Sequence, residues 1–314
     1  MRQNSSLRDR KILRRISSQI YRVLLILAVP PAVAWAILVY LVPSLKVYAA
    51  FWSLIVAILD ALVLEPLQRS WKRQAATIQE LFDCEVLHLA WHEFKVGSRP
   101  DAESIAEAAG KFQRKNPEYA TLKDWYPVSV GRVPLPFARL ICQRTNCWWD
   151  ARLRCRYATA VVVGLAALTV LVFVIGLLGE MSLEKFTLAV LAPLTPALLW
   201  GMREYRGQRE AAETVDRLKA YADRLWHKVM TSQLSSEQTD TASRELQNEI
   251  YDHRRQSPVI FDSLYRRFRR DDEAQMNVGA DALVQEALRH LRPGTQEGHT
   301  SADTGTGRLG PCPG

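Results

Sequence analysis

The chain reads as an all-α membrane protein. Four transmembrane helices form two hairpins, with a mainly helical cytoplasmic insert between them and a helical cytoplasmic C-terminal region after them. Three observations predict this. Charge is segregated: 24% of the 314 residues are charged, yet four windows are nearly free of ionisable side chains. Each window supplies close to the ~20 apolar residues that cross a hydrocarbon core of ~30 Å. Finally, the lysines and arginines flanking the windows all fall on one side of a two-hairpin topology.

The windows are "VLLILAVPPAVAWAILVYLV" (23–42), "VYAAFWSLIVAILDALVL" (47–64), "ATAVVVGLAALTVLVFVIGLL" (158–178) and "SLEKFTLAVLAPLTPALLWGM" (182–202). A buried helix of a soluble core is the competing reading, but such helices seldom run this far without a polar face. Glu184 and Lys185 shorten the apolar part of the fourth window. The first exceeds the apolar run of a cleaved signal peptide and lacks a small-residue cleavage site, so it reads as a retained anchor.

Seven basic residues from Arg2 to Arg22 precede the first window, against the single acid Asp9. Arg69, Lys72 and Arg73 follow the second, Arg152, Arg154 and Arg156 precede the third, and Arg203, Arg206 and Arg209 follow the fourth. The links within the hairpins carry only Lys46, and then Glu180, Glu184 and Lys185. Both termini and the central segment are therefore expected to be cytoplasmic, with two short hairpins crossing the bilayer. The net charge of +8 follows from these topology-setting residues and from attraction to anionic membrane lipids, without any need for nucleic acid. Five cysteines sit in regions expected to be cytoplasmic, where disulfides are not expected.

The order that results is a basic N-terminus (1–22), hairpin 1 (23–64), a helical insert (65–157), hairpin 2 (158–202), a helical C-terminal region (203–292) and a disordered tail (293–314). "EPLQRSWKRQAATIQELF" continues the second span as helix. "DCEVLHLAW" is ambiguous, an extended segment being one option. Asp101 is a candidate N-cap for "AESIAEAAGKFQRK". In "VDRLKAYADRLWHKV", Val215, Leu218, Ala222, Leu225 and Val229 make an a/d stripe about two heptads long, suited either to packing on the insert or to self-association. Helices are expected around "RELQNEIYDHRR" and, after a restart at Ser257 and Pro258, through "IFDSLYRRFRRDDEAQMNVGADALVQEALRHL". The tail from Pro293 lacks the apolar residues for a core.

The densest chemistry lies in "ICQRTNCWWDARLRC" (141–155). On one helix begun by Pro134 and Pro136, at about 100° per residue, Cys142, Cys147 and Cys155 project in three directions and cannot converge on a metal. Phe137, Ile141, Trp148, Ala151 and Cys155 make one stripe, and Arg139, Gln143, Asn146, Asp150 and Arg154 a nearly opposite one, with Arg144 interrupting the apolar side. Two readings stay open. Either this is a juxtamembrane amphipathic helix with a solvated polar face, or the polar stripe contributes to a ligand pocket or a subunit interface. His88 and His92, four apart, would share a face only on a helix, and Glu93 is misplaced for H-E-x-x-H. No nucleophile elbow, P-loop or dinucleotide fingerprint is present, so no enzyme activity, metal or cofactor is expected.

Asp60 is the only acid well inside a span. Such residues usually face a bundle interior or water, so Asp60 is the candidate pore-lining residue; the competing reading is a carboxylate close enough to the interface to reach it, or one kept protonated. Four spans enclose little lumen, and a conducting pore implies a homo-oligomer.

"FDCEVLHLAW", "LKDWYPVSVGRVPLPFARLICQRTNCWWDARLRCRY" and "IYDHRRQSPVIFDSLYRRFRRDDEAQMNVGADALVQEA" together resemble the SMODS-associating four-transmembrane effector family of bacterial cyclic-oligonucleotide (CBASS) antiphage systems, over most of residues 10–290. The resemblance implies a membrane-permeabilising effector, a genetically linked nucleotide cyclase and activation by a cyclic oligonucleotide. It carries no catalytic residues. Such a ligand needs cations for its phosphodiesters and flat faces for its bases. The candidate clusters are Lys123, Trp125 and Tyr126; then Arg139, Arg144 and Arg154; then Arg254, Arg255, Arg266 and Arg267. The last set would equally suit anionic lipid. The competing function is a membrane-tethered receptor or scaffold that binds without conducting.

Overall fold

The computed structural model describes residues 41–101, 103, 125–178, 182–187 and 191–291, together with Ala34, Trp35 and Leu38. The N-terminus (1–22), most of the first window, nearly all of "AESIAEAAGKFQRK", Lys123 and the tail from 293 lie outside the described residues.

Among the described residues every regular element is helical. Helix α1 (Lys46–Leu59) passes through a π turn at Asp60–Leu64 into α2 (Glu65–Val86). Pro66 accounts for the wide turn. It has no N–H for the Leu62 carbonyl and its ring crowds that turn, so the Glu65 N–H reaches back five residues to the Asp60 carbonyl. The helix ends within the ambiguous "DCEVLHLAW": Leu87 N–H still bonds the Asp83 carbonyl, and His88 takes a left-handed φ of 50°. His92 then caps the short α3 (Glu93–Val96), so the two histidines share no helix face.

A 3-10 turn at Val128–Arg132 leads into α4 (Leu135–Leu178), which Pro136 starts without losing a needed donor. After α5 (Leu183–Phe186) come α6 (Ala192–Met230), α7 (Ser236–Gln256) and α8 (Asp262–Leu291). A reciprocal capping box between Ser235 and Gln238 fixes the start of α7.

Helices α4 and α6 form a long antiparallel hairpin. Along it, Leu165 faces Gly201, Arg154 bonds Gln208, Arg144 bonds Asp223 and Phe137 packs edge-on to Trp226. Gly201 is required by that approach, since a Cβ there would collide with Leu165. Among the described residues two stretches are long and apolar enough to cross a membrane: Val47–Val86, which contains the second window, and Leu135–Val174, which contains all but the last four residues of the third. The fourth window is described only in part, its residues 188–190 lying outside the described residues.

Three apolar clusters stack along the molecule. The first, with Leu140, Ile141, Leu225, Leu246 and Val284, joins the charged halves of α2, α4 and α6 to α7 and α8. Each such fully buried side chain contributes about 1.5–3 kcal/mol. Of the heptad stripe, Val215, Ala222, Leu225 and Val229 are buried in this core, so packing within the chain is the observed use. The second cluster holds Ala49, Val56, Val172, Leu194 and Trp200 between the apolar halves. Around it Phe51, Leu54, Leu62, Val163, Leu171 and Leu177 are exposed, an apolar belt far larger than scattered surface residues make. The third, a collar of Trp149, Leu153, Tyr157, Ile260 and Tyr265, lies where the two halves meet.

Candidate functional site

The polar stripe of α4 is not solvated. It runs parallel to α7, and the two helices bond side chain to side chain along a buried seam. Gln143 donates to the Ser243 carbonyl (2.9 Å) and to Gln247 Oε1 (3.1 Å), while its own Oε1 accepts from Ser243 Oγ (3.0 Å). His253 Nε2 meets Asp150 Oδ2 at 2.9 Å, and Arg154 Nη1 donates to the Pro258 carbonyl just past the end of α7 (3.0 Å). The solvated-face reading fails because the helix that covers this stripe is itself polar on the facing side.

Helix α2 adds two buried acids from the other side. Glu80 accepts from Arg244 (2.6 Å) and Gln247 (2.9 Å). Asp83 accepts from Tyr126 (2.7 Å), Gln247 (3.0 Å) and Arg254 (2.5 Å). Burial and the facing Asp83 push the Tyr126 phenol well above its usual value. For Arg254, Asp83 outweighs burial and keeps the guanidinium charged. Cys84, Cys142 and Cys147 are free and buried, and burial pushes the Cys84 and Cys147 thiols up to about 12. These thiols are therefore protonated and unreactive near neutral pH. Among the described residues no three His, Cys, Asp or Glu side chains gather as a metal site.

Where α2, α4, α6 and α7 come together, just above the collar, a cleft of about 110 Å³ opens. Lys72, Asn146, Trp149, Asp150, His253 and Arg254 are among its walls. Two wall donors are buried without a hydrogen-bond partner among the described residues: Arg254 Nη2 and Trp149 Nε1. Such donors are costly to leave empty, and a ligand with acceptor oxygens would satisfy both. Trp149 also meets Trp125 and Tyr265 edge to face, at 6.2 and 5.4 Å between ring centres. Of these rings only Trp149 lines the cleft, and the other two hold it in place.

Charges around the cleft are finely set. Burial alone would raise the Asp150 carboxyl, but Arg154 and His253 outweigh it and hold the group well below its usual range. Burial beside Arg154 and Arg254 lowers His253 against the pull of Asp150. Burial pushes Glu204, next to Lys72 and Arg154, up to about 7, and burial likewise lowers the Lys72 ammonium.

The sequence-derived candidates scatter. Tyr126 is consumed by Asp83, and Trp125 stands beside Trp149. Arg139, Arg144 and Arg154 leave α4 in different directions. Arg139 holds the Leu87 and His88 carbonyls and Asp240, Arg144 holds Asp223 at 2.9 Å, and Arg154 holds Asp150, Gln208 and the Pro258 carbonyl. Arg255 pairs with Asp252 at 3.1 Å over the ring of Tyr251, and Arg267 is exposed on α8. Nothing is described of the Arg266 side chain, and Lys123 lies outside the described residues. Arg154 and Arg254, from separate clusters, do meet at the cleft. Sequence reasoning missed Lys72, Trp149 and His253 as members, for they carry no motif and come from three helices. Asp60 Oδ2 accepts from Arg203 Nη1 at 3.0 Å, and Glu65 Oε2 lies 4.0 Å from the same nitrogen.

Comparison with known proteins adds independent information. A family model described as the SMODS-associating 4TM effector domain matches residues 5–283. The chain is also similar to a Bacillus cereus (strain VD146) protein named as a probable CBASS effector molecule. The two are 25% identical over 235 residues, which is 74% of this chain and 75% of the relative. No solved structure matches the chain.

Proposed function

Since the chain belongs to the SMODS-associating 4TM effector family, we propose that it is the membrane effector of a bacterial antiphage signalling system. In this reading a cyclic oligonucleotide, made by a genetically linked cyclase, binds the cytoplasmic half. Binding favours a state in which four spans per chain, in several copies, open a leak in the inner membrane. Both termini stay in the cytoplasm, and the effect comes from rearrangement rather than catalysis.

One observation carries the reading. Helices α4 and α6 run without a break from the walls of the polar cleft into the apolar belt. A ligand that shifts the cleft ends of these helices necessarily shifts their apolar ends, because a helix transmits displacement along its axis. Arg254 and Trp149 would take phosphodiester oxygens, Lys72 would add charge, and the Trp149 ring would lie against a base. A cleft of about 110 Å³ holds a phosphate or a base edge, not a whole cyclic dinucleotide. Drug-sized pockets run to about 300–1,000 Å³. Binding must therefore part the helices around the cleft, and that parting is the conformational change the leak requires.

The test is dye and ion release from liposomes containing the purified protein, with a panel of cyclic di- and trinucleotides and their linear forms. Release caused by one cyclic ligand and not by its linear form is the expected result. Ligand binding with intact liposomes would replace the leak by a tethered receptor, and no response to any ligand would remove cyclic oligonucleotide activation.

A further inference from the structure

Below the cleft, at the level where α1 passes into α2, lies a second pocket of about 200 Å³, which shares Lys72 with the cleft as a wall. Its walls include Asp60, Glu65, Arg69, Lys72, Arg203 and Glu204. The geometry points to this pocket as a binding site for the phosphate headgroup of an anionic phospholipid, its acyl chains lying on the apolar belt beneath.

The first argument is depth. Exposed Ile58, Leu62 and Val63 precede Glu65 and Arg69 along one helix, and exposed Leu199 and Met202 precede or adjoin Arg203 on the other. The change from apolar to charged therefore occurs at one height on both helices, and the pocket sits at that height. Phosphates of a bilayer lie there, and arginine and lysine stems reach up to them from the apolar layer.

The second argument is charge balance. Arg69 is bonded to Glu65 (2.6 Å) and Arg203 to Asp60 (3.0 Å), leaving both guanidinia mostly exposed with donors to spare. Lys72 has no carboxylate within ion-pair distance among the described residues, and its single polar contact is a long one, 3.4 Å to the Gln256 carbonyl. Burial pushes its acidic neighbour Glu204 up to about 7, so at neutral pH that group carries only part of a charge. Three basic side chains thus share the pocket with acids that already pair with two of them, and Lys72 is the cation left for a phosphodiester anion.

The third argument selects the source of the phosphodiester. A free one would fit the cations alone, whereas a lipid matches both halves of the surface, head on the charges and chains on Leu62 and Leu199. The inference rests on the spans lying in a bilayer and is independent of what opens the cleft or whether the protein leaks.

The test is native mass spectrometry of the full-length protein in detergent micelles, titrated with phosphatidylglycerol, with phosphatidylcholine and with water-soluble glycerophosphoglycerol. One phosphatidylglycerol per chain should be retained in preference to phosphatidylcholine, without competition from the soluble headgroup at equal concentration. Arg69 is mostly exposed, so Arg69→Gln should leave the melting temperature unchanged while weakening retention about fivefold, the worth of one cation at a membrane surface. Equal retention of the two lipids, or full retention in Arg69→Gln, would overturn the site. Competition by the soluble headgroup would show a general phosphodiester site and overturn the lipid assignment. Liposome release is a separate readout, so failure here and failure of the effector reading are told apart.

Discussion

Arg139 offers the sharpest separation between holding the fold and binding a ligand. It lies on α4, nine-tenths buried, and donates through Nε to the Leu87 carbonyl at 2.6 Å and through Nη2 to the His88 carbonyl at 2.7 Å. Those carbonyls close the C-terminus of α2, where unpaired acceptors and the negative end of the helix dipole both call for a cation. The third bond, to Asp240, adds little because that carboxylate is half exposed. Two charge-assisted bonds at about 1.5 kcal/mol each give a loss of about 3 kcal/mol for Arg139→Gln. At about 2–4 °C per kcal/mol for a body of this size, the melting temperature of the detergent-solubilised protein should fall by about 6–12 °C. Arg139→Lys should recover less than half of that, since one ammonium cannot span two carbonyls. Intrinsic tryptophan fluorescence during heating measures both. An Arg139→Gln protein that melts within about 2 °C of the wild type and has lost its response to ligand would refute the structural assignment.

Two buried groups near the cleft give opposite pH dependences. His253 has a lowered pKa, so the unfolded chain takes its proton first and stability drops as pH falls through about 6.5. Glu204 is raised to about 7, so its contribution is full below about 4.3 and is lost as pH rises through 7. Melting temperatures between pH 5 and 8 should therefore rise with pH in Glu204→Gln and fall with pH in His253→Gln; the same slope in both variants would contradict the assignment. Gly201→Val should force α4 and α6 apart at Leu165, costing about 1–3 kcal/mol and raising release from ligand-free liposomes. Unchanged basal release would mean that this contact does not hold the closed state. Asp60→Asn should still accept from Arg203 and fold, but should reduce the cation preference of the activated leak; unaltered selectivity would take Asp60 off the conducting path.

How much was legible in the sequence follows from which interactions are local. The windows at 47–64 and 158–178 were readable because crossing a bilayer needs only a long apolar run, a property of consecutive residues. The start of α4 at its prolines and the divergence of its cysteines were equally readable, as each depends on positions a few residues apart, whereas α7 begins at Ser236, eight residues before the helix expected around "RELQNEIYDHRR". The partner of the α4 polar stripe was not. Gln143 meets Ser243 across 100 positions, and a polar stripe looks the same whether water or another polar helix covers it. The π turn at Asp60 had its signal in Pro66, but the arginine that meets Asp60 comes from α6, 143 residues further along the chain.

For the candidate site, the sequence supplied the chemistry and misjudged the grouping. Arginines and aromatics near one another in the chain do not act as units, because helix geometry sends Arg139, Arg144 and Arg154 to three different neighbours. By itself the sequence determined that this chain carries stretches long and apolar enough to cross a membrane, basic residues that flank them, and the motifs of its family. Only the tertiary structure decided which polar groups neutralise one another, and which, like Arg254 Nη2 and Trp149 Nε1, are left over at a cleft. The physical reason is one of range. Apolar burial depends on the amount of surface along the chain, whereas hydrogen bonds depend on the position of one particular partner, which the packing of distant helices alone fixes.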